Sequence, residues 1–423
     1  MEIKELQEIY ASHPGVTALR QLDESDYKSI VKVNGLTASS AAVAIAGYMH
    51  KEEKQTLFII MNDAEEAGYF YHDLVQICGD KRVLFFPSSF KRALKYGHED
   101  DANRILRTEV MSRLASRSRR QGTIIVTHPE AIAEKVVSQE KMESNTLPLA
   151  VGGNISREEV EKRLGKLGFK EVSYVYEPGE FAVRGSLIDI FSFSSEYPFR
   201  IDFFGDEIES IRTFEVETQL SKERMQEISI VPKLTDKESV PIVSFLPRAT
   251  IYIAKDFSFV KSSIEKTRNE GYSLQARLSE EKLPEMPELM SGVEIERHLK
   301  SARRWEIHPS QGSEKEGTSI AFDTSMQPLF NKDFDLVSDK FKEYLAKGYK
   351  IMLLADDARQ SERLKSIFDE RGDEITFTGV NKTIHAGYVD NTLRMAFSPI
   401  ISCSADSTTT VCAATALEAE RQH

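Results

Sequence analysis

Four short, strongly apolar segments, Ser29–Val33, Thr56–Met61, Arg82–Phe86 and Thr123–Thr127, recur early in the chain with helical patterns between them. Parallel strands cannot be joined by a tight turn and need a crossover, usually a helix. Regular strand–helix alternation therefore commits this part of the chain to a parallel sheet covered by helices. At 423 residues the chain is long enough for about three domains, so this sheet is expected to be one of several units.

The first strand runs into a small-residue turn and an Ala-rich helix start, SIVKVNGLTASSAAVAIAG from Ser29 to Gly47. This is where a phosphate-binding loop, G-x-x-x-x-G-K-[ST], sits in a nucleotide-binding sheet. Gly35 keeps the first glycine, but Ala41 and Ala42 occupy the lysine and hydroxyl positions. Without an ammonium for the phosphates or a hydroxyl for Mg²⁺, the loop residues Gly35, Ala38, Ala41 and Ala42 are not expected to bind nucleotide. No acidic strand follows to hold a metal. Asp23-Glu24-Ser25 precedes the loop without an apolar strand before it and reads as a capping or turn segment.

A second unit opens near Leu147. Ser156 and Glu159 set a capping box for a helix whose Val160, Leu164 and Leu167 form a sheet-packing stripe. The segments VSYVY, FAVRG, SLIDIFSF, FRIDFFG and IESIRTFEV follow, with turns at Pro178-Gly179, Gly185-Ser186 and Gly205-Asp206. Short strands with glycine-bearing turns predict an antiparallel sheet, hence a small α+β module. The expected division is 1–146, the degenerate loop domain; 147–232, the inserted module; 233–315, a companion domain with VPIVSFLP, a strand at Thr250–Ala254 and a helix around Phe257–Arg277; and 316–397, a small third α/β domain. The last begins after the linker around Gln311–Lys315 and has helices at Asp333–Leu345 and Arg359–Glu370, the strand Lys350–Leu354, and strands near Ile375 and His385.

Composition excludes several function classes. A net charge of −12 opposes a generic polyanion binder, and the one basic run, Arg113, Arg117, Arg119 and Arg120, reads as a solvated helix end. Three cysteines make no disulfide framework and imply a reducing compartment; with no transmembrane run or signal peptide, the expected location is cytoplasmic. His98-Glu99-Asp100-Asp101 lacks a second histidine at useful spacing and reads as an acidic helix start. Trp305 reads as a packing anchor. No catalytic residue, metal site or cofactor is expected.

The segment YEPGEFAVRGSLIDIFSFSSEYPFRIDFFGDEIESIRTFEVET, Tyr176–Thr218, resembles the bacterial transcription-repair coupling factor family (Mfd) and, more distantly, the matching domain of the excinuclease helicase subunit UvrB. The degenerate loop agrees, because the coupling factors resemble UvrB in their N-terminal half without its ATPase loop. KTIHAGYVDNTLRMAF extends the resemblance into the third unit. The fold it implies is α/β multidomain: a degenerate P-loop, RecA-like and UvrB-like parallel-sheet domain with an inserted α+β antiparallel module and a further small α/β domain.

The resemblance implies that the inserted module docks the damage-recognition protein UvrA. Strand alternation in FRIDFFG puts Phe199, Ile201 and Phe203 on a core face and Arg200, Asp202 and Phe204 on the opposite one. If the strands of Arg184 and Arg200 pair, Arg184, Arg200 and Phe204 form one patch of the residue types favoured at binding hot spots. The alternative is that the arginines pair with Glu180 and Asp202 while Phe204 fills a turn.

The family continues into an RNA-polymerase-binding domain and a translocase, whereas this sequence ends in SPIISCSADSTTTVCAATALEAERQH, read as a disordered tail (398–423) produced by a one-base frame slip; Cys403 and Cys412 then carry no function. The expected function is recruitment of UvrA without catalysis, RNA polymerase contact or strong DNA binding. The alternatives are an active UvrB-like ATPase and a non-functional remnant of a broken gene.

Overall fold

The computed structural model describes residues 1–23, 30–52, 54–89, 101–115, 122–233, 239–270, 288–310, 318–328, 330 and 333–400. The expectations at Glu24-Ser25, His98–Asp100, Arg117–Arg120, the linker 311–315, the end of the expected helix at 271–277, and 401–423 lie outside these residues.

The first four strands form where the apolar runs lie: β1 (Ile30–Asn34), β2 (Leu57–Ile60), β3 (Val83–Phe86) and β4 (Ile124–Thr127). After the short β5 (Val136–Val137) and β6 (Leu147–Ala150), the inserted module carries β7 (Lys170–Glu171), β8 (Glu180–Arg184), β9 (Leu187–Ile190), β10 (Phe199–Phe204), β11 (Glu207–Phe214), β12 (Ser221–Met225) and β13 (Glu227–Ile230). The chain then returns through β14 (Ser239–Val240), β15 (Ile251–Ala254), β16 (Arg303–His308) and β17 (Thr318–Ala321). It ends in β18 (Thr324–Met326), β19 (Lys350–Leu354), β20 (Thr378–Val380), β21 (Tyr388–Asp390) and β22 (Met395–Pro399).

Seven strands make the main sheet, in the order β17-β1-β16-β15-β2-β4-β3, and every pairing is parallel. The segment 233–315, read from sequence as a companion domain, builds no sheet of its own among the described residues. Its β15 and β16 fill the gap between β1 and β2, and Trp305 on β16 is buried edge-on against Tyr48 at 5.0 Å. The excursion through the module hides this: pairing partners separated by that much chain leave no local pattern. β17, assigned to the third unit, is likewise an edge strand of the main sheet. VPIVSFLP holds only the last residue of β14, Val240, and a short 3₁₀ turn, Ile242–Phe245.

Helices cover both faces. Ser40–Lys51 and Ala64–Cys78 pack on one side with Ile3–Ala11 outside them, and Asp101–Ala115, Phe257–Glu270 and Gly292–Lys300 pack on the other. Cys78 is half-buried at the end of its helix, and desolvation pushes its thiol up to about 12, away from the reactive thiolate.

The third unit is a five-stranded sheet, β18-β21-β22-β19-β20, that shares a core with the main domain through Met352, Leu354, Tyr388 and Phe397. A buried polar joint adds to this seam. The Tyr10 hydroxyl donates to Asp390 at 2.9 Å and lies 2.9 Å from the Tyr388 hydroxyl, and His13 Nε2 is 3.5 Å from Asp390. Burial alone would raise the Asp390 carboxyl, but His13, the Leu393 N–H and Tyr10 outweigh it and hold it below the usual range. The strand Met395–Pro399 runs parallel to β19 through Ser398 and Pro399, past the point where the sequence placed the start of the tail.

Among the described residues no helix is long and apolar enough to cross a membrane.

Candidate docking face and vestigial loop

The inserted module is a six-stranded sheet, β12-β11-β10-β9-β8-β7, with helix Arg157–Lys166 and the β6–β13 pair on its inner side. Ser156 caps the helix by accepting the Glu159 N–H, and Val160 and Leu164 are buried against Phe181, Ile188 and Ile201. The Glu159 carboxylate turns to Arg163, so half of the expected capping box forms. VSYVY is not a strand. It crosses the outer face and buries Val175 against Ala182 and Phe191.

Alternation along β10 falls as its residues dictate: Phe199, Ile201 and Phe203 are in the core, Arg200 and Asp202 are half-buried outside, and Phe204 is 78% exposed at the hairpin end. β8 and β10 do not pair with each other. β9 lies between them, with Ala182 and Arg200 both opposite Asp189. That intervening strand is what joins the two arginines. Asp189, 1% exposed, accepts from Arg200 Nε at 2.7 Å and Nη2 at 2.9 Å, and from Arg184 on its other side. Arg200 also donates to the Gln219 side chain at 2.9 Å and stacks over Phe214 at 4.2 Å; Arg184 lies over Tyr174 at 5.1 Å.

Neither arginine uses the partner weighed from sequence. Glu180 accepts the Tyr176 and Glu177 N–H groups, and Asp202 accepts the Ser186 hydroxyl. Asp189 is the member of this face that sequence reasoning missed. The signal was present in SLIDIFSF, a lone carboxylate inside an apolar strand, which must find a cation when buried. Phe204 neighbours the β8–β9 turn, where the Phe203 N–H donates to Ser186 O at 3.0 Å; the exposed end of the sheet thus carries Phe204 and Arg184, with Arg200 further in.

The degenerate loop lies at the C-terminal end of β1, beside a cavity of about 410 Å³ lined by Leu36, Met61, Tyr69, Ile253, Lys255 and His385 among others. Gly35 takes φ +81° and its N–H donates to His308 O at 2.8 Å. Ala38 adopts φ +51°, and Ala41 and Ala42 are buried in the helix. Several of the loop's hydrogen-bonding groups meet protein. The Ser39 N–H donates to Ala386 O at 3.3 Å, its hydroxyl accepts the Ala386 N–H at 3.0 Å, and Thr324 donates to Gly35 O at 2.6 Å. Around the cavity, Asp63 caps helix Ala64–Cys78, Glu66 pairs with Lys255, Asp73 accepts the His385 N–H at 2.6 Å, and Tyr69 stacks on His385 at 3.8 Å.

A parallel α/β sheet with an antiparallel module inserted between its strands is an α/β multidomain protein, and residues 147–235, the inserted module, match the family model described as the UvrB interaction domain. The chain is similar to transcription-repair-coupling factors. It is 28% identical to that of Bacillus subtilis (strain 168) over 220 residues, 50% of this chain and 18% of the relative. It is 30% identical to that of Escherichia coli (strain K12) over 149 residues, 34% of this chain and 13% of the relative. It is 29% identical to that of Staphylococcus aureus (strain bovine RF122 / ET3-1) over 198 residues, 47% and 16% respectively. The matched region thus spans less than a fifth of each of these relatives. The resemblance read in Tyr176–Thr218 is borne out.

Proposed function

We propose that this chain is a non-catalytic recruitment module of transcription-coupled repair, docking UvrA through the outer face of residues 147–232. The observation that carries this reading is Phe204, a large aromatic left in solvent at a hairpin end beside an arginine fixed by a buried carboxylate. Exposed aromatics next to ordered guanidiniums are the composition of binding hot spots, and fixing the arginines beforehand lowers the entropy cost of docking. The Asp189 pairing alters the division of labour foreseen from sequence. Arg200, 12% exposed and already held bidentately, serves as the platform, whereas Arg184, 34% exposed, and Phe204 make first contact. Phe204→Ala is expected to weaken UvrA binding by about 1–4 kcal/mol in calorimetry. Unchanged affinity would remove Phe204 from the interface.

The same reading holds that the loop at Gly35 binds no nucleotide. It is supported by alanine at positions 41 and 42 and by the Ala386 carbonyl on the Ser39 amide, a group that a phosphate would otherwise take. Titration of the chain with a fluorescent ATP analogue and Mg²⁺ is expected to give no saturable signal. Saturation would favour the alternative, an active UvrB-like ATPase.

A further inference from the structure

The arginines of the outer face do not stop at Arg200. Across β10, β11 and β12 the register places Arg200 directly opposite Arg212, and Arg212 directly opposite Arg224. With Arg184 diagonal to Arg200 across β9, four arginines cross the sheet from β8 to its free edge at β12. Directly opposed residues on antiparallel strands bring their Cβ atoms to within about 4.5–5.5 Å, where like charges destabilise the sheet. Asp189 neutralises the Arg184–Arg200 end. The other end has no such relief: the side chains of Arg212 and Arg224 have no ion pair or hydrogen bond among the described residues, and the buried Arg212 Nε lacks an acceptor. The free protein therefore carries a repulsive row that a complementary surface would relieve.

We infer that Arg212 and Arg224 form a second, electrostatic half of the docking face, recognising a strip of carboxylates on the protein that seats Phe204; this rests on the reading that UvrA docks here. A protein partner fits better than a nucleic acid. Asp189 and Asp202 interrupt the row, Glu207 and Glu209 are exposed on β11, and the surrounding surface offers Tyr174, Phe204 and Leu220 to solvent. A phosphate backbone would meet those carboxylates and leave the apolar groups unused, whereas an acidic protein surface with an apolar pocket uses both.

The test measures UvrA affinity of the full chain against salt concentration, beside Arg224→Glu, Arg212→Glu/Arg224→Glu and the charge-retaining Arg212→Lys/Arg224→Lys. Arg224 is exposed on an edge strand, so its single variant reports binding even if the double variant folds poorly. The expected result is a loss on the order of 10-fold for Arg224→Glu and 100-fold for the double reversal, with a shallower salt dependence, while the lysine variant stays near the parent. If the parent binds and both reversals bind equally with the same salt slope, the electrostatic half is wrong while the docking reading stands. A parent that fails to bind UvrA overturns both. Reversals that abolish binding to duplex DNA while sparing UvrA also overturn the inference.

Discussion

Asp189→Ala is expected to cost the module about 3–5 kcal/mol, more than any single arginine truncation on the same face. The carboxylate is 1% exposed and accepts from both Arg184 and Arg200. Its removal leaves two guanidiniums with no counter-charge, one of them, Arg200, only 12% exposed and directly opposite Arg212. Losing one partner of a buried pair is costly because the survivor keeps its desolvation penalty without the compensating attraction. Arg184→Ala is different. It leaves Asp189 bidentately held by Arg200 and removes a side chain that is one-third exposed, so a loss nearer 1 kcal/mol follows. Asp189→Asn keeps an acceptor and the shape and should fall between the two. Chemical denaturation of the three variants gives the ranking. A stable Asp189→Ala protein would show that the arginines do not depend on this carboxylate.

Gly35→Ala is expected to loosen the seam between the main domain and the third unit, at about 2–5 kcal/mol. Gly35 has φ +81°, and a Cβ added there would lie 1.9 Å from the backbone oxygen of Phe322. Backbone cannot give way as a flexible side chain does. In a phosphate loop a glycine lets the backbone approach the phosphate; here the group approached is the protein's own Phe322, held by its N–H to Asn34 O at 2.8 Å and stacked on His13 at 4.9 Å. Gly68→Ala serves as the control with opposite sign. It lies in helix Ala64–Cys78 with nothing within 4 Å of an added Cβ, so alanine should stabilise by about 0.4–1 kcal/mol. Denaturation midpoints of the two variants moving in the same direction would contradict this account of the loop.

How far these features were legible follows from the range of the interactions that make them. β1 to β4 were readable because each is an apolar run flanked by helical periodicity, and the β10 faces were readable because alternation is local. The insertion of β15 and β16 between β1 and β2 was not, since nothing in Ile251–Ala254 or Arg303–His308 specifies a neighbour that distant in sequence. Strands near Ile375 and His385 were expected and form slightly later, at Thr378–Val380 and Tyr388–Asp390, because element boundaries depend on tertiary pairing. At the proposed docking face, Arg184, Arg200 and Phe204 could be picked out by residue type and resemblance. Their link through Asp189 required knowing that β9 separates β8 from β10. The row through Arg212 and Arg224 required the register across β11, which contains two irregularities that no sequence pattern announces.

Recruitment of UvrA through the outer face of residues 147–232 is best checked by co-elution of the chain with purified UvrA in gel filtration, beside an Arg184→Ala/Arg200→Ala/Phe204→Ala variant checked for folding by its thermal transition. A complex is expected with the parent chain and none with the folded variant. A parent that elutes apart from UvrA, or a variant that still co-elutes, would contradict it.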